Sequence, residues 1–479
     1  MSERETPDKF QNKAKEIFGE VCIDKSLFLS SGMHARSIPT FVAEWILDRF
    51  CPDGQLQEDA LANINRFIAQ HLPRKEDKEA IKNRLSSGEQ VTLLDQFSVN
   101  VDLRSNILRL KIPSIDEGGF IERHLVQRYP NLLGGGMWGA GKLTYHPPDP
   151  ESGRYSGEVW LVDFKPMQVA QLDIDYYIKQ RSQFTLNEWR SLLVNSMGYN
   201  PHAYTPQGQL LLLTRLIPIV EPRVNLIELA PKSTGKSFVY QNLSKYVRVV
   251  SGGMISAPVL FYNLQNNTPG LLTQYDVVVL DEAQTISFNN PGEVIGVLKD
   301  YLESGRYTRG RQMASADAGL VLLGNIPIDS AGNPREPILF LNLPSFLQES
   351  AFIDRLHGIL PGWQLPRITT SSPAQGIGFK ADFFAEVLHA LREKGGYSEY
   401  VQAHLFLTGT DDMRDKKAIE RLTAGYLRLL FPDLNQTSDE FYTYCVSPSI
   451  AMRQSIREQL CKMDAEYKWV KIGGEVQVA

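Results

Sequence analysis

Glu228-Leu-Ala-Pro-Lys-Ser-Thr-Gly-Lys-Ser237 is the stretch that decides the reading of this 479-residue chain. An apolar run, Val224-Asn-Leu-Ile227, precedes it and predicts a buried strand. Phe238-Val-Tyr-Gln-Asn-Leu-Ser-Lys-Tyr246 follows with helical spacing. Strand, tight loop and helix are the context that a P-loop needs. Such a loop turns successive backbone N–H groups toward a phosphate, and the helix start adds a favourable dipole. The expected nucleotide contacts are Ala230, Pro231, Lys232, Ser233, Thr234, Gly235, Lys236 and Ser237. Lys236 would reach the β- and γ-phosphates of ATP, and the Ser237 hydroxyl would hold Mg2+. Ala230 stands where the pattern has its first glycine. Its small, unbranched side chain can be absorbed by a modest change in the turn.

Tyr275-Asp-Val-Val-Val-Leu-Asp-Glu-Ala-Gln284 is a β-branched run that ends in two acids. It predicts a central parallel strand buried on both faces. Open α/β sheets gather ligands at the carboxyl ends of such strands. Asp281 would join the Mg2+ shell, and Glu282 would orient and polarise the attacking water. Gly319-Leu-Val-Leu-Leu-Gly-Asn-Ile326 predicts a further buried strand with Asn325 at its tip. An amide there can hold the water between Glu282 and the γ-phosphate; loop capping is the plain alternative.

Two arginines stand apart from these strands. Arg355, in Ala351-Phe-Ile-Asp-Arg-Leu-His-Gly358, ends an apolar helical stretch. Ring ATPases project an arginine from such a place into a neighbour's site, where it stabilises transition-state charge. Its alternative partners are Asp354 or a helix-end carbonyl. Arg414 lies in the first turn of a helical segment that starts at Asp412, where a basic side chain opposes the helix dipole. That placement suggests another partner, such as the γ-phosphate.

The order of P-loop, Asp-Glu strand, Asn strand, Arg helix and Arg-led helix resembles the AAA+ ATPases. The words Asn225-Leu-Ile-Glu-Leu229, Val250-Ser-Gly-Gly253, Lys299-Asp-Tyr-Leu-Glu-Ser-Gly305, Arg309-Gly-Arg311, Gly324-Asn-Ile326, Phe352-Ile-Asp-Arg355 and Pro361-Gly-Trp363 narrow the match. They resemble the BrxL family of Lon-related AAA+ proteins in BREX phage-defence systems. The resemblance covers residues 205–433 well and the amino-terminal part more loosely. It implies ATP hydrolysis with Mg2+, binding of duplex DNA, and assembly into a hexamer or stacked hexamers. It also implies a role in restricting phage, with other BREX proteins as candidate partners. The ATPase is also similar to the MCM helicases. In that type a hairpin between the Asp-Glu and Asn strands enters the pore, where Arg306, Arg309 and Arg311 would meet DNA phosphates. A solvated hairpin or a subunit-interface role is the alternative for these arginines. Longer members carry a Lon-type protease-like domain. Leu434–Ala479 is too short for one, and no Gly-Pro-Ser-Ala-Gly type motif with a later lysine is present, so proteolysis is not expected.

A hydrophobic content of 43% and a charged content of 22% suit a globular chain of two to four domains. The net charge of −5 confines any nucleic-acid surface to a local patch. No apolar run reaches membrane-spanning length, and Met1-Ser-Glu-Arg-Glu5 lacks the core of a signal peptide. The four cysteines are scattered without zinc-ligand spacing. The expected location is the cytoplasm.

The expected fold class is α/β, a parallel-sheet P-loop core with a helical lid, preceded by helices and a small β-rich domain. Its divisions are 1–94 helical, 95–204 β-rich, 205–370 AAA+ core, 371–433 lid and 434–479 a helical extension. Pro39–Phe50 and Asp59–His71 read as amphipathic helices. The mixed charges of Pro73–Arg84 suit a solvated helix better than a DNA patch. Ile107–Ile112 alternates, with Arg109 and Lys111 opposite Leu108, Leu110 and Ile112. An OB-like barrel is one form this region could take. Its basic face near aromatics suits nucleic acid and equally suits plain solvation. Thr185-Leu-Asn-Glu188 is a capping box. Gly136-Met-Trp-Gly-Ala-Gly-Lys-Leu143 imitates a P-loop but lacks the Ser/Thr after Lys142, and the following prolines exclude a helix. A turn between strands is expected there.

Overall fold

The computed structural model describes residues 8–33, 38–133, 136–152, 154–167, 172–265 and 268–477; Met1–Glu5 lies outside them. The chain divides into two compact units. One is Ser26–Leu172, and the other joins the residues up to Lys25 with those from Asp173 onward.

After the short helix Ser26–Ser30, the smaller unit carries helices Thr40–Phe50, Glu58–His71 and Lys78–Ser86. Of these three, the first buries Val42, Ile46 and Leu47 completely. The third turns Ile81 and Leu85 inward, while Lys78 and Lys82 pair with Asp116 and Glu117. Five strands then close a barrel: β1 (Val91–Asp102), β2 (Ile107–Ile112), β3 (Glu117–Ile121), β4 (Met137–His146) and β5 (Glu158–Pro166). Their order is β1-β2-β3-β5-β4, with β4 returning to β1 and with β3 and β5 parallel. Leu108, Leu110 and Ile112 face the core while Arg109 and Lys111 face solvent, as the alternation predicts.

The P-loop imitation is itself strand β4, not a turn. Its glycines serve packing: a methyl at Gly141 would meet the Phe97 ring at 2.3 Å, and one at Gly139 the Phe164 ring at 2.4 Å. The small residues admit two core aromatics, a use that the phosphate-binding pattern conceals.

In the larger unit the P-loop strand is β6 (Leu226–Ala230), followed by helix α1 (Lys236–Asn242) and strands β7 (Val247–Ser251) and β8 (Val277–Asp281). Helix α2 (Pro291–Ser304), a hairpin of β9 (Arg306–Arg309) and β10 (Gln312–Ser315), β11 (Gly319–Asn325) and β12 (Gly358–Pro361) complete this part. The main sheet has the order β12-β6-β11-β8-β7 and is parallel throughout. β6 and β8 are buried at every position, which explains why they are apolar except for Glu228 within β6 and Asp281 at the end of β8. Helices α3 (Ala381–Glu393), α4 (Met413–Leu430) and α5 (Ser447–Met463) follow. A parallel sheet with a P-loop and attendant helices fits the expected AAA+-like core.

The divisions differ from the sequence reading at three places. Cys22–Asp24 pairs with Ile377–Phe379, and Phe18 packs on Phe379 at 4.9 Å, so the first residues belong with the P-loop unit. Helices Ile174–Gln180 and Leu186–Ser196 also lie in that unit, not with the barrel. The second begins at the expected capping box, with Thr185 accepting from the Glu188 N–H at 3.3 Å. Residues 434–479 are not a separate extension. Ile456 and Leu460 of α5 enter the core beside Ile227, and Gly473–Val476 pairs with Leu405–Thr408. Among the described residues, no helix is long and apolar enough to cross a membrane.

Candidate nucleotide site

The expected phosphate-binding residues converge at the carboxyl edge of the sheet. Ala230 ends β6 fully buried, and Pro231 is buried beside it. Lys232 and Ser233 are exposed, and Ser233 takes a positive φ of 66°. The Thr234 hydroxyl donates to the Pro231 carbonyl at 3.3 Å. Gly235, at φ 72°, caps α1, whose first two residues are Lys236 and Ser237. The alanine in place of glycine is accommodated across the sheet edge. A methyl at Gly362 would lie 2.7 Å from the Ala230 Cβ, so the space is left by the neighbour.

Lys236 donates to the Asn325 side-chain oxygen at 2.5 Å. The tip of β11 thus meets the P-loop lysine, as the strand order requires. Burial lowers the Lys236 pKa, and Arg215 adds to this; Glu228, Asp281 and Glu282 oppose it. Asp281 ends β8 and is buried, with one carboxylate oxygen accepting from the Glu282 N–H at 2.9 Å. Glu282 adopts a left-handed backbone, φ 52°, that turns its exposed carboxylate off the strand end. Gly252, φ 54°, makes room for it: a Cβ there would approach a Glu282 oxygen at 3.3 Å. The Ser237 hydroxyl and Asp281 carboxylate are hard oxygen ligands, and Mg2+ takes few protein ligands when phosphate oxygens supply the rest. The donor set fits that ion.

Several residues of this site carry no sequence signal. The Gln284 side-chain oxygen accepts from the Asn325 N–H at 3.2 Å and fixes the strand tip. Beneath the loop, Arg215 is fully buried and grips Glu228 of β6 through bonds of 3.0 and 2.7 Å. Tyr199 joins them, accepting from Arg215 at 3.0 Å. A buried acid inside an apolar strand is the one hint that a buried cation lies nearby.

Arg355 and Arg414 lie elsewhere. Arg414 donates to Glu303 at 2.8 Å and to Asp354 at 2.7 Å, and Arg355 approaches the same Glu303 oxygen at 3.4 Å. Arg355 also donates to the Ala351 carbonyl. Both line a cavity of about 360 Å³ with Arg223 and Arg421. This cavity is at the amino edge of the sheet, because Gly358, just after Arg355, pairs with Leu226. Four residue steps along β6 separate that level from Ala230, about 13 Å. Arg414, expected near a γ-phosphate, is therefore not brought to the P-loop of this chain. Its acidic partners explain a basic residue in a first helical turn.

The hairpin arginines divide. Arg306 and Arg311 are exposed. Arg309 turns inward, donates to the Tyr262 carbonyl and lies 4.0 Å from Glu293. It ties the hairpin to the strand Tyr262–Asn263. Phe261 is fully buried beneath, and its carbonyl accepts from the Tyr307 hydroxyl at 2.7 Å.

A family model described as "Lon-like protease BrxL-like, ATPase domain" matches residues 159–473. A second, "BREX system Lon protease-like protein BrxL N-terminal", matches 16–145. The Lon-like protease BrxL of Bacillus cereus (strain H3081.97) is 29% identical over 434 residues, 89% of this chain and 63% of that relative. The Lon-like protease BrxL of Escherichia coli O9:H4 (strain HS) is 28% identical over 430 residues, 89% of this chain and 61% of the relative. The chain thus spans less than two thirds of the length of these curated relatives.

Proposed function

The chain belongs to the BrxL family, and on that premise we propose that it is a ring-forming, ATP-hydrolysing AAA+ motor that binds duplex DNA and moves on or remodels it in BREX phage defence. One observation carries the reading: the P-loop set stands at the carboxyl edge of the sheet, while Arg355 and Arg414 stand at the amino edge. A neighbour in a head-to-tail ring would join the two edges into one complete site. A hexamer or stacked hexamers, in the bacterial cytoplasm, is the proposed assembly, with other BREX proteins as further partners.

In this reading the P-loop N–H groups and Lys236 hold the β- and γ-phosphates, and Ser237 and Asp281 would hold Mg2+, which would supply charge neutralisation for the phosphates. Glu282 accepts a hydrogen bond from the attacking water and aligns it. Asn325 keeps the Lys236 ammonium in place and borders the same water. Arg355 and Arg414 of the next protomer meet the charge that develops on the transferring phosphoryl group. Helices α3 and α4 act as the lid. The barrel order, with its parallel β3–β5 pair, supports an OB-like domain. Arg306 and Arg311 supply phosphate contacts, which position DNA without reading its sequence.

Glu282→Gln tests the catalytic part: ATP binding should persist while turnover stops, and normal turnover would remove the assignment. The rival is a protein remodeller, favoured by Met313 and Leu264, which are 75% and 48% exposed on the two neighbouring hairpins. The buried Phe261 weighs against it, since an aromatic pore loop needs a free ring. Salt titration of DNA binding with and without ATP separates the readings, because only a DNA motor should show steep, nucleotide-dependent salt sensitivity.

A further inference from the structure

Three consecutive carbonyls of the P-loop have fixed partners, two of them on buried side chains. The Ser233 carbonyl accepts from the Ile368 N–H at 2.8 Å. The Thr234 carbonyl accepts from Arg215 at 3.3 Å. The Gly235 carbonyl accepts from the Tyr199 hydroxyl at 2.7 Å and from Arg215 at 3.4 Å. In a trans peptide the C=O and the following N–H point in opposite directions. Fixing the Thr234 and Gly235 carbonyls onto these buried groups therefore turns the N–H groups of Gly235 and Lys236 away from the protein floor. That is the side on which a phosphate must sit.

The floor is built for this task. Arg215 and Glu228 are both buried, and their bidentate pairing fixes the guanidinium plane. The Tyr199 hydroxyl both accepts from Arg215 and donates to Gly235, so its proton direction is determined. Gly235 is required twice: by its φ of 72°, and because a Cβ would lie 2.9 Å from the Tyr199 hydroxyl. Simple packing under a loop would not need a buried charge pair.

We propose that Arg215 and Tyr199 are positioning residues of the nucleotide site, holding the loop carbonyls inward so that its N–H groups are set for the phosphates before nucleotide arrives. The proposal rests on the reading of the P-loop as the ATP site. Pre-setting these dipoles spares reorganisation on binding, so its loss should appear in nucleotide affinity.

The test uses the full chain, ATP, and a fluorescent ATP analogue in titration. Tyr199→Phe keeps the ring and removes one hydroxyl. It should raise the Kd for the analogue and the KM for ATP about five- to tenfold with kcat near the parent value, while the melting midpoint falls by only a few degrees and the variant stays folded at the assay temperature, because Arg215 and the Gly235 carbonyl keep each other as partners at 3.4 Å. Arg215→Lys keeps a cation beside Glu228 but loses the fork to two carbonyls, and should weaken binding further. If Arg215→Lys fails to fold, Tyr199→Phe decides alone. Unchanged affinity in Tyr199→Phe, or a loss of affinity matched by loss of fold, overturns the proposal. Lys236→Ala is the control for the underlying reading. If it binds ATP normally, the P-loop is not the ATP site. If it loses ATP while Tyr199→Phe does not, only the positioning role falls.

Discussion

Replacing Arg453 by Met should detach the carboxyl-terminal helix from the rest of the P-loop unit. Arg453 is fully buried on α5 and makes four hydrogen bonds: to Asp415 of α4 at 2.7 Å, to the Asp354 carboxylate at 2.8 Å, and to the carbonyls of Asp354 and Leu356 at 2.9 and 2.7 Å. It thus joins α5, α4 and the segment leading into β12. Met fills similar space but leaves two acids, Asp354 at 2% exposure and Asp415 at 0%, without their main counter-charge. Arg414 still reaches Asp354, and Arg457 lies 3.6 Å from Asp415, so compensation is partial. Removing one partner of a buried pair costs about 3–5 kcal/mol. At about 2–4 °C per kcal/mol for a domain of this size, the melting midpoint should fall by roughly 10 °C. Thermal unfolding of the full chain and hydrogen exchange along α5 would read this directly. Adding Asp354→Asn and Asp415→Asn should recover part of the loss, since the acids would no longer be stranded charges. A shift below about 1 kcal/mol in the single variant, within the range of ordinary surface substitutions, would refute the reasoning.

Other outcomes follow from the same geometry. Replacing Arg306 and Arg311 by Ser should weaken DNA binding and lower the slope of log K against log salt by about 2; an unchanged slope in gel-shift titrations removes both from the DNA surface. Gly362→Ala should cost about 1–3 kcal/mol, because its methyl would meet Ala230 and Glu228 at 2.7 and 2.8 Å. Combining it with Ala230→Gly should relieve part of that cost in denaturant melts, and no relief would deny the complementarity of the two positions. His389 stacks on Tyr246 at 3.9 Å and bonds Asp276 at 2.6 Å. Burial opposes its charge, but Asp276, Glu386 and Glu393 outweigh burial and raise its pKa. A raised imidazole pKa contributes stability that is complete below the unfolded value of about 6.5 and is lost as pH rises through the folded value. Stability should therefore decline above about pH 6.5 in the parent and less so in His389→Gln; identical pH profiles would contradict this.

The nucleotide edge was legible because its signals are local. Gly235-Lys-Ser237 and Val277–Glu282 combine a periodic pattern with a polar tip, and each pattern forms within a single strand–loop unit. Asn325 was legible for the same reason, although its contact with Lys236 required the strand order. Arg215, Tyr199 and Gln284 were not, because each acts on a residue brought near only by tertiary folding. The glycine-rich β4 is rightly set aside as a P-loop but expected to be a turn, for a related reason: its glycines answer to Phe97 and Phe164, and a stretch read in isolation cannot register a partner ring. Arg309 is placed with Arg306 and Arg311 by the resemblance to the MCM hairpin, and its bond to the Tyr262 carbonyl depends on a strand that only tertiary folding brings near. Residues 434–479 read as a helical extension in which Met452, Ile456 and Leu460 have the spacing of a packed helix, but that their partner is the core beside β6 is set only by tertiary folding.

The most direct measurement is ATP turnover in mixtures of two inactive variants, Glu282→Gln and Arg355→Ala. Alone, Arg355→Ala should lose roughly 10³-fold or more in rate, as removal of a trans arginine does. If the site is shared between protomers, a one-to-one mixture rebuilds intact junctions wherever an Arg355→Ala protomer receives its arginine from a Glu282→Gln neighbour, about a quarter of all junctions in a random head-to-tail ring. The account predicts recovery toward that fraction of the parent rate. No recovery in mixed assemblies, or full activity of Arg355→Ala by itself, would contradict it.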